Sequence, residues 1–233
     1  MRTIVSALGH VLFPPHCLLS NVYLGTMHTM VPGIADAELL HHQPAPSGIE
    51  LMLLLQRHFQ PDDLALTSVN SIWAVATGTT IDNAIYAIKY GGRRGLAQRL
   101  GARLAMHPEL EGLPADVVIA AVPIHNARLR ERGYNQAQEI AVGWTSAGVG
   151  HLLDADNLVR VRYTQTQTTQ NEQSRLQNVS RAFSVPHPNS VAGKHIILVD
   201  DVLTTGATLN ACATALLEAG ARRVDAATLC AAV

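Results

Sequence analysis

Four apolar residues in a row, Ile196 to Val199, run directly into two adjacent acids, Asp200 and Asp201, and the small-residue loop Thr204-Thr205-Gly206-Ala207-Thr208 follows. A short, continuous apolar run bounded by polar residues is the pattern of a strand buried on both faces, as in a parallel sheet. Burial on both faces requires helices above and below, so this stretch restricts the chain to an α/β layout. The remaining pattern agrees. Residues 71–76, 116–123, 158–162, 182–185 and 224–230 read as further strands. Helices are predicted from a Ser47 cap to about Phe59, from Thr80 with Ile81, Ile85 and Ile88 on one face, and around Leu96, Leu100 and Leu104. Two more are predicted over 133–147 and over 207–219, the latter ended by Gly220. Ser47 followed three residues later by Glu50 is a capping box.

In an open parallel sheet, ligands gather beyond the carboxyl ends of the strands. If the strand ends at Val199, Asp200 and Asp201 stand at that end, and the loop leads into helix 207–219. Its backbone amides and hydroxyls would then face the same crevice as an anion site at a helix N-terminus. Acids beside an anion site suit a ligand that carries both kinds of group. A sugar phosphate does: the carboxylates accept hydrogen bonds from vicinal ribose hydroxyls while the loop holds the phosphate. Gly206 lets the backbone come close. Other phosphate motifs are absent, since Gly193-Lys194 is followed by His195 and no G-x-G-x-x-G occurs.

Composition narrows the function classes. With 48% hydrophobic residues the 233-residue chain can bury a full core, and its formal net charge of −1 excludes an overall basic footprint for nucleic acid. Lys occurs only at Lys89 and Lys194, and every other cation is Arg. Arg suits oxyanion recognition, although genomic base composition accounts for much of such a bias. Cys17, Cys212 and Cys230 are odd in number and widely spaced, which implies no disulfide framework and a reducing compartment. The N-terminus lacks a signal-peptide core, and no run of about 18 apolar residues suggests a membrane span. A cytoplasmic protein without membrane association is expected.

The stretch ILVDDVLTTGAT resembles the phosphoribosyl pyrophosphate (PRPP) motif of type I phosphoribosyltransferases. Three further blocks, IYAIKYGGRRGLAQRLG at 85–101, VPIHNARLRERGYNQAQEIA at 122–141 and TQTQTTQNEQSRLQNVSRAF at 164–183, are similar to the ComF family of competence-associated, amidophosphoribosyltransferase-like proteins. The resemblance implies a type I phosphoribosyltransferase-like parallel sheet flanked by helices over 71–233, preceded by a degenerate N-terminal segment, 1–70. It implies transfer of ribose 5-phosphate from PRPP to an acceptor, with Mg²⁺ accompanying PRPP and pyrophosphate released. Asp200 and Asp201 would take the ribose hydroxyls. Val202, Thr204, Thr205, Gly206, Ala207 and Thr208 would complete the PRPP site.

The segment from Pro123 to Arg132 corresponds to the family's pyrophosphate loop, with Arg128, Arg130 and Arg132 able to turn toward one anion before the next helix begins. Residues 163–180, long, polar and without apolar periodicity, correspond to its catalytic lid, with Arg175 as a catalytic residue and Asn178 beside it. Many ComF proteins open with a zinc-binding segment that begins L-F-P-P-x-C-x-x-C. Here the run is LFPPHCLLS, with Ser20 in place of the second cysteine, so zinc is not expected despite His10, His16, His28, His41 and His42. The chain ends soon after its last strand, so an acceptor-binding hood is expected from residues 1–110. The partners the resemblance admits are PRPP, single-stranded DNA, other competence proteins and a second copy of the chain. Two non-catalytic alternatives stand beside the enzyme: a DNA-uptake accessory and a PRPP-sensing regulator.

Overall fold

The computed structural model describes residues 16–17, 43–75, 79–161 and 182–232. Five parallel strands form the central sheet, in the order β1-β7-β6-β2-β3. They are β1 (Val69–Ala74), β2 (Val118–Ala121), β3 (His151–Leu152), β6 (His195–Leu203) and β7 (Arg223–Ala231). Two short strands, β4 (Val159–Arg160) and β5 (Phe183–Ser184), pair antiparallel beside it. The helices among the described residues are α1 (Gly48–Leu55), α2 (Thr80–Tyr90), α3 (Arg94–Ala105), α4 (Asn126–Arg132), α5 (Gln136–Ser146) and α6 (Ala207–Glu218). None of them is long and apolar enough to cross a membrane.

The expected parallel sheet with helices on both faces is therefore present, and β6 at its centre divides two cores. Successive side chains of a strand point to opposite faces. Ile197 and Val199 pack with Ile81, Ile85 and Ile88 of α2, Leu96, Leu100 and Leu104 of α3, and Ile140 and Trp144 of α5. Ile196 and Leu198 pack on the other face with Leu51 and Leu55 of α1 and Leu209, Cys212 and Leu216 of α6. Each fully buried Leu or Ile contributes roughly 1.5–3 kcal/mol of hydrophobic stabilisation. At the amino ends of β6 and β7, buried His195 and Asp225 pair at 2.7 Å, and Arg223 Nε reaches the same carboxylate at 2.9 Å. The buried charge is thus compensated.

Several element boundaries differ from the sequence reading. β6 does not stop at Val199 but continues to Leu203, because β7 runs beside it and pairs Asp200 with Thr228, Val202 with Cys230 and Leu203 with Ala231. The capping box at Ser47 and Glu50 is present, but α1 ends at Leu55 rather than near Phe59. The helix predicted over 133–147 is present as α5, and a separate short helix, α4, precedes it where a loop was expected. α4 ends at Gly133, and Asn135 starts α5 by accepting from the Ala137 amide.

Helices α3 and α5 cross so closely that a Cβ at Gly143 would lie 1.8 Å from the Gln98 carbonyl oxygen, and one at Gly101 would lie 2.0 Å from that of Ile140. The same crossing is bridged by Gln98 Nε2 donating to Glu139 at 2.7 Å. Gly143→Ala is expected to destabilise the chain by about 3 kcal/mol or more through forced separation of the helices. Gly95→Ala on α3, whose Cβ would enter open space, should be neutral or slightly stabilising. Urea unfolding of both variants checks this, and equal stabilities would refute the close crossing.

Candidate functional site

Strand β2 lies between β3 on one side and β6 on the other, so the chain changes direction across the sheet at the β2/β6 boundary. In doubly wound sheets a crevice opens at such a point, beyond the carboxyl ends of the strands. Two features shape it here. The last β2–β6 bond is Val122 N–H to the Val199 carbonyl at 3.0 Å, and the Val122 carbonyl accepts instead from Asn135 Nδ2 at 3.0 Å. β6 runs on past that point, so Asp200 to Leu203 are paired only on the β7 side.

Strand alternation separates the two acids. Asp200 follows Leu198 onto the α6 face and is partly buried; Asp201 follows Val199 onto the α2 face and is 4% exposed. The Asp201 amide donates to Asp200 Oδ1 at 2.9 Å. Burial, and then the neighbouring Asp201 charge, push the Asp200 carboxyl up to about 8, against the opposing pull of that amide, Lys89 and Arg132. Lys89 Nζ lies 3.2 Å from Asp201 Oδ2, within ion-pair distance although not aligned as a hydrogen bond. Burial, and then the Asp201 charge, also push the Cys230 thiol up to about 12, which leaves it unreactive.

The loop after β6 has Val202 partly buried in the strand and Thr204 and Thr205 exposed. Gly206, at φ +75°, sits in the left-handed region directly before α6. A Cβ there would be strained and would lie 2.4 Å from Leu55 Cδ2, so α1 braces the loop from beneath. Ala207 opens α6 and Thr208 is exposed. Among the described residues no side chain caps this helix, apart from a long Ala207 N–H contact to Thr205 Oγ1 at 3.4 Å. Asn210 ties α6 to the chain before β1 through the Asp63 carbonyl and the Ala65 amide, both at 2.7 Å.

The arginines depart from the expected loop arrangement. Arg128, Arg130 and Arg132 lie on helix α4, not on an extended loop, because residues 126–132 complete two helical turns before Gly133. Side chains two apart on a helix point away from each other. Arg128 and Arg130 are exposed, while Arg132 is partly buried and turned toward the crevice, where it lowers the pKa of Asp200. Arg132 also donates to Gln136 at 2.9 Å, lies 5.1 Å from the Tyr90 ring, and keeps one buried Nε without a hydrogen-bond partner among the described residues. Arg175 and Asn178 of the expected lid lie outside the described residues, as do Ser20, His10, His28, His41 and His42.

Lys89 and Tyr90, at the end of α2, are site residues that no sequence motif marks. The corner is fastened to the segment after α4: Tyr134 Oη donates to the Ile88 carbonyl, Arg94 donates to the Gly133 carbonyl at 2.9 Å, and the Arg94 guanidinium lies 4.8 Å from the Tyr134 ring. Asn135 Nδ2 then holds the Val122 carbonyl at 3.0 Å, linking this corner to the end of β2. KYGGRR and RGYNQ both stand out as blocks in the sequence. Their contact in space could not be read from either.

The family signature of the phosphoribosyl transferase domain matches residues 112–232, and the chain belongs to that family. It is 34% identical over 151 residues to the DNA utilization protein YhgH of Salmonella typhi, a match covering 63% of this chain and 65% of that protein. It is 36% identical over 112 residues to competence protein F of Haemophilus influenzae, covering 46% of this chain and 47% of the relative. The ComF resemblance of the sequence blocks agrees with these names. Among solved structures, glutamine PRPP amidotransferase from B. subtilis, complexed with ADP and GMP, aligns with a TM-score of 0.38 at 27% identity over 56% of this chain and 25% of that one.

The raised Asp200 pKa has a stability consequence. The folded pKa of about 8 lies above the unfolded value of 3.8, so the folded state binds the proton more tightly. Its contribution to stability is complete below the unfolded pKa and is lost as pH rises through about 8. Asp200→Asn should flatten the decline in melting temperature between pH 5 and 9. Above pH 8 it should make the variant more stable than wild type, by about 1–2 kcal/mol. Parallel pH profiles for both proteins would refute this.

Proposed function

We propose that the crevice at the ends of β2 and β6 binds PRPP and transfers its ribose 5-phosphate to an acceptor with release of pyrophosphate. The observation that carries this reading is the juxtaposition of Asp200 and Asp201 with an uncapped helix N-terminus behind Gly206. Asp200 and Asp201 would accept hydrogen bonds from the ribose hydroxyls. The loop from Thr204 to Thr208 would surround the 5-phosphate with backbone amides and hydroxyls, favoured by the α6 dipole. Val202 would line the floor of the site. Arg132, with its Nε unpartnered among the described residues, would meet the pyrophosphate, and Arg128 and Arg130 would serve the outer rim. Arg175 would arrive with the lid.

Displacement at ribose C1 needs no protein nucleophile. The carbon–oxygen bond to pyrophosphate breaks as the acceptor's bond forms, and cations around the leaving group lower the barrier. Mg²⁺ fits this site as a partner of the substrate. Among the described residues no cluster of three or more His, Cys, Asp or Glu is present, and Mg²⁺ is commonly held by one or two carboxylates together with phosphates. Asp200 is the carboxylate available to it. When bound, it would neutralise part of the pyrophosphate charge.

Calorimetric titration with PRPP and Mg²⁺ tests the reading. Ligand at about 100 times its dissociation constant should stabilise the fold by roughly 2.7 kcal/mol. Asp200→Asn with Asp201→Asn should abolish the heat and the shift in melting temperature. Absence of any response in wild type at millimolar PRPP would count decisively against the site.

A second reading, binding of single-stranded DNA with or without turnover, is favoured by one observation. Tyr86 and Tyr90 stand 65% and 57% exposed on α2 with ring centroids 5.0 Å apart, and the Arg132 guanidinium flanks Tyr90. Exposed aromatics beside arginines form a stacking platform for bases, worth about 1–3 kcal/mol per stacked base. Fluorescence anisotropy with a labelled oligonucleotide should give binding that weakens with salt. Tyr86→Ala with Tyr90→Ala should reduce affinity about tenfold or more, and an unchanged affinity would remove this platform.

A further inference from the structure

Lys89 occupies a position that its place on a helix does not require. A lysine in the last turn of α2 could complete the helix dipole from solvent. Its side chain instead turns inward, 24% exposed, and brings Nζ to 3.2 Å from the Asp201 carboxylate, itself 6% exposed. Asp201 lies on the α2 face of β6, close to Asp200, whose backbone precedes it and whose carboxylate accepts the Asp201 amide. A carboxylate this deeply buried is costly unless a cation compensates it. Asp82, on the first turn of the same helix, adds a negative charge near this region of α2, and Arg132 adds a positive one near Asp200. Lys89 is the cation in ion-pair contact with Asp201.

We infer that Lys89 is a positioning residue of the crevice: its ammonium holds the Asp201 carboxylate in a fixed orientation, so that the pair of acids presents a preorganised acceptor surface to the ribose of a bound sugar phosphate. This rests on the PRPP reading above and deepens it. The two acids then divide the work. Asp200, on the more open face, meets the ligand directly, while Asp201 is aimed and charge-compensated from behind. Without Lys89, the Asp201 side chain would lose its fixed orientation and turn toward water, which removes an acceptor that binding of ribose hydroxyls uses. The contact also ties the end of α2 to the site. The corner that holds Tyr90 against Arg132 therefore holds Lys89 against Asp201.

The test uses the full chain with PRPP and Mg²⁺ as the probe, with affinity measured by calorimetry well below the melting temperature of each variant. Lys89→Met should weaken PRPP binding at least tenfold, and Lys89→Arg, which keeps the charge, should recover most of it. Melting temperature supplies a separate readout. Lys89→Met should lower it, and adding Asp201→Asn should restore it, because the buried charge is then removed with its partner. A Lys89→Met protein that binds PRPP as tightly as wild type would overturn the inference while leaving the PRPP site intact. A wild-type protein that binds no PRPP would overturn both. A Lys89→Arg protein as weak as Lys89→Met would show that a positive charge facing Asp201 is not what matters, and would also overturn it.

Discussion

The two-sided burial of β6 is the constraint on which the rest of the structure depends. A strand that must lose water from both faces forces helices onto each, and its alternation decides which residue meets which core. Ile196 and Leu198 go to α1 and α6, and Ile197 and Val199 go to α2, α3 and α5. The same period of two carries past the apolar run. It sends Asp200 toward α6 and Asp201 toward α2, so two neighbours in sequence acquire different surroundings. One carboxyl is left partly open with its pKa raised, and the other is buried against a lysine.

Stability and function pull against each other at this point. Two acids placed together at a partly buried strand end are unfavourable for the free protein, as the raised Asp200 pKa records. Such an arrangement persists when the surrounding structure enforces it, and here β7 does so by pairing along the whole of β6. Strain and unpaired charge of this kind concentrate at binding sites, where a ligand supplies what the fold leaves missing. The uncapped start of α6 and the unpartnered Arg132 Nε are of the same character. All three lie around one crevice.

The supporting shell is built from parts of the chain that carry no site motif. α1 places Leu55 under Gly206, Asn210 anchors the segment before β1, and Tyr134 and Arg94 clamp the end of α2 to the turn after α4. Sites held by rigid neighbours lose less on binding, because their geometry is set beforehand. The close crossing of α3 and α5 at Gly101 and Gly143 serves the same end, since it fixes the helices from which that clamp is made.

The sequence by itself determined the layout and the chemistry of the loop. The apolar run, the diacid and the small-residue turn are local signals, and their meaning follows from backbone periodicity and from the conformational freedom of Gly206. The capping box at Ser47 was legible for the same reason. What only the tertiary structure decided were the consequences of pairing across distance. Strand β6 outlasts its apolar run because β7 offers it hydrogen-bond partners, and nothing within residues 195–203 announces that. The arginines of 128–132 are on a helix, where Arg130 diverges from the other two and Arg132 is the partly buried one that acts on Asp200, whereas an extended reading of the same residues would turn several to one side. Lys89 meets Asp201 across 112 residues of chain (201 minus 89), a contact set by how α2 packs on the sheet and by no pattern in either segment.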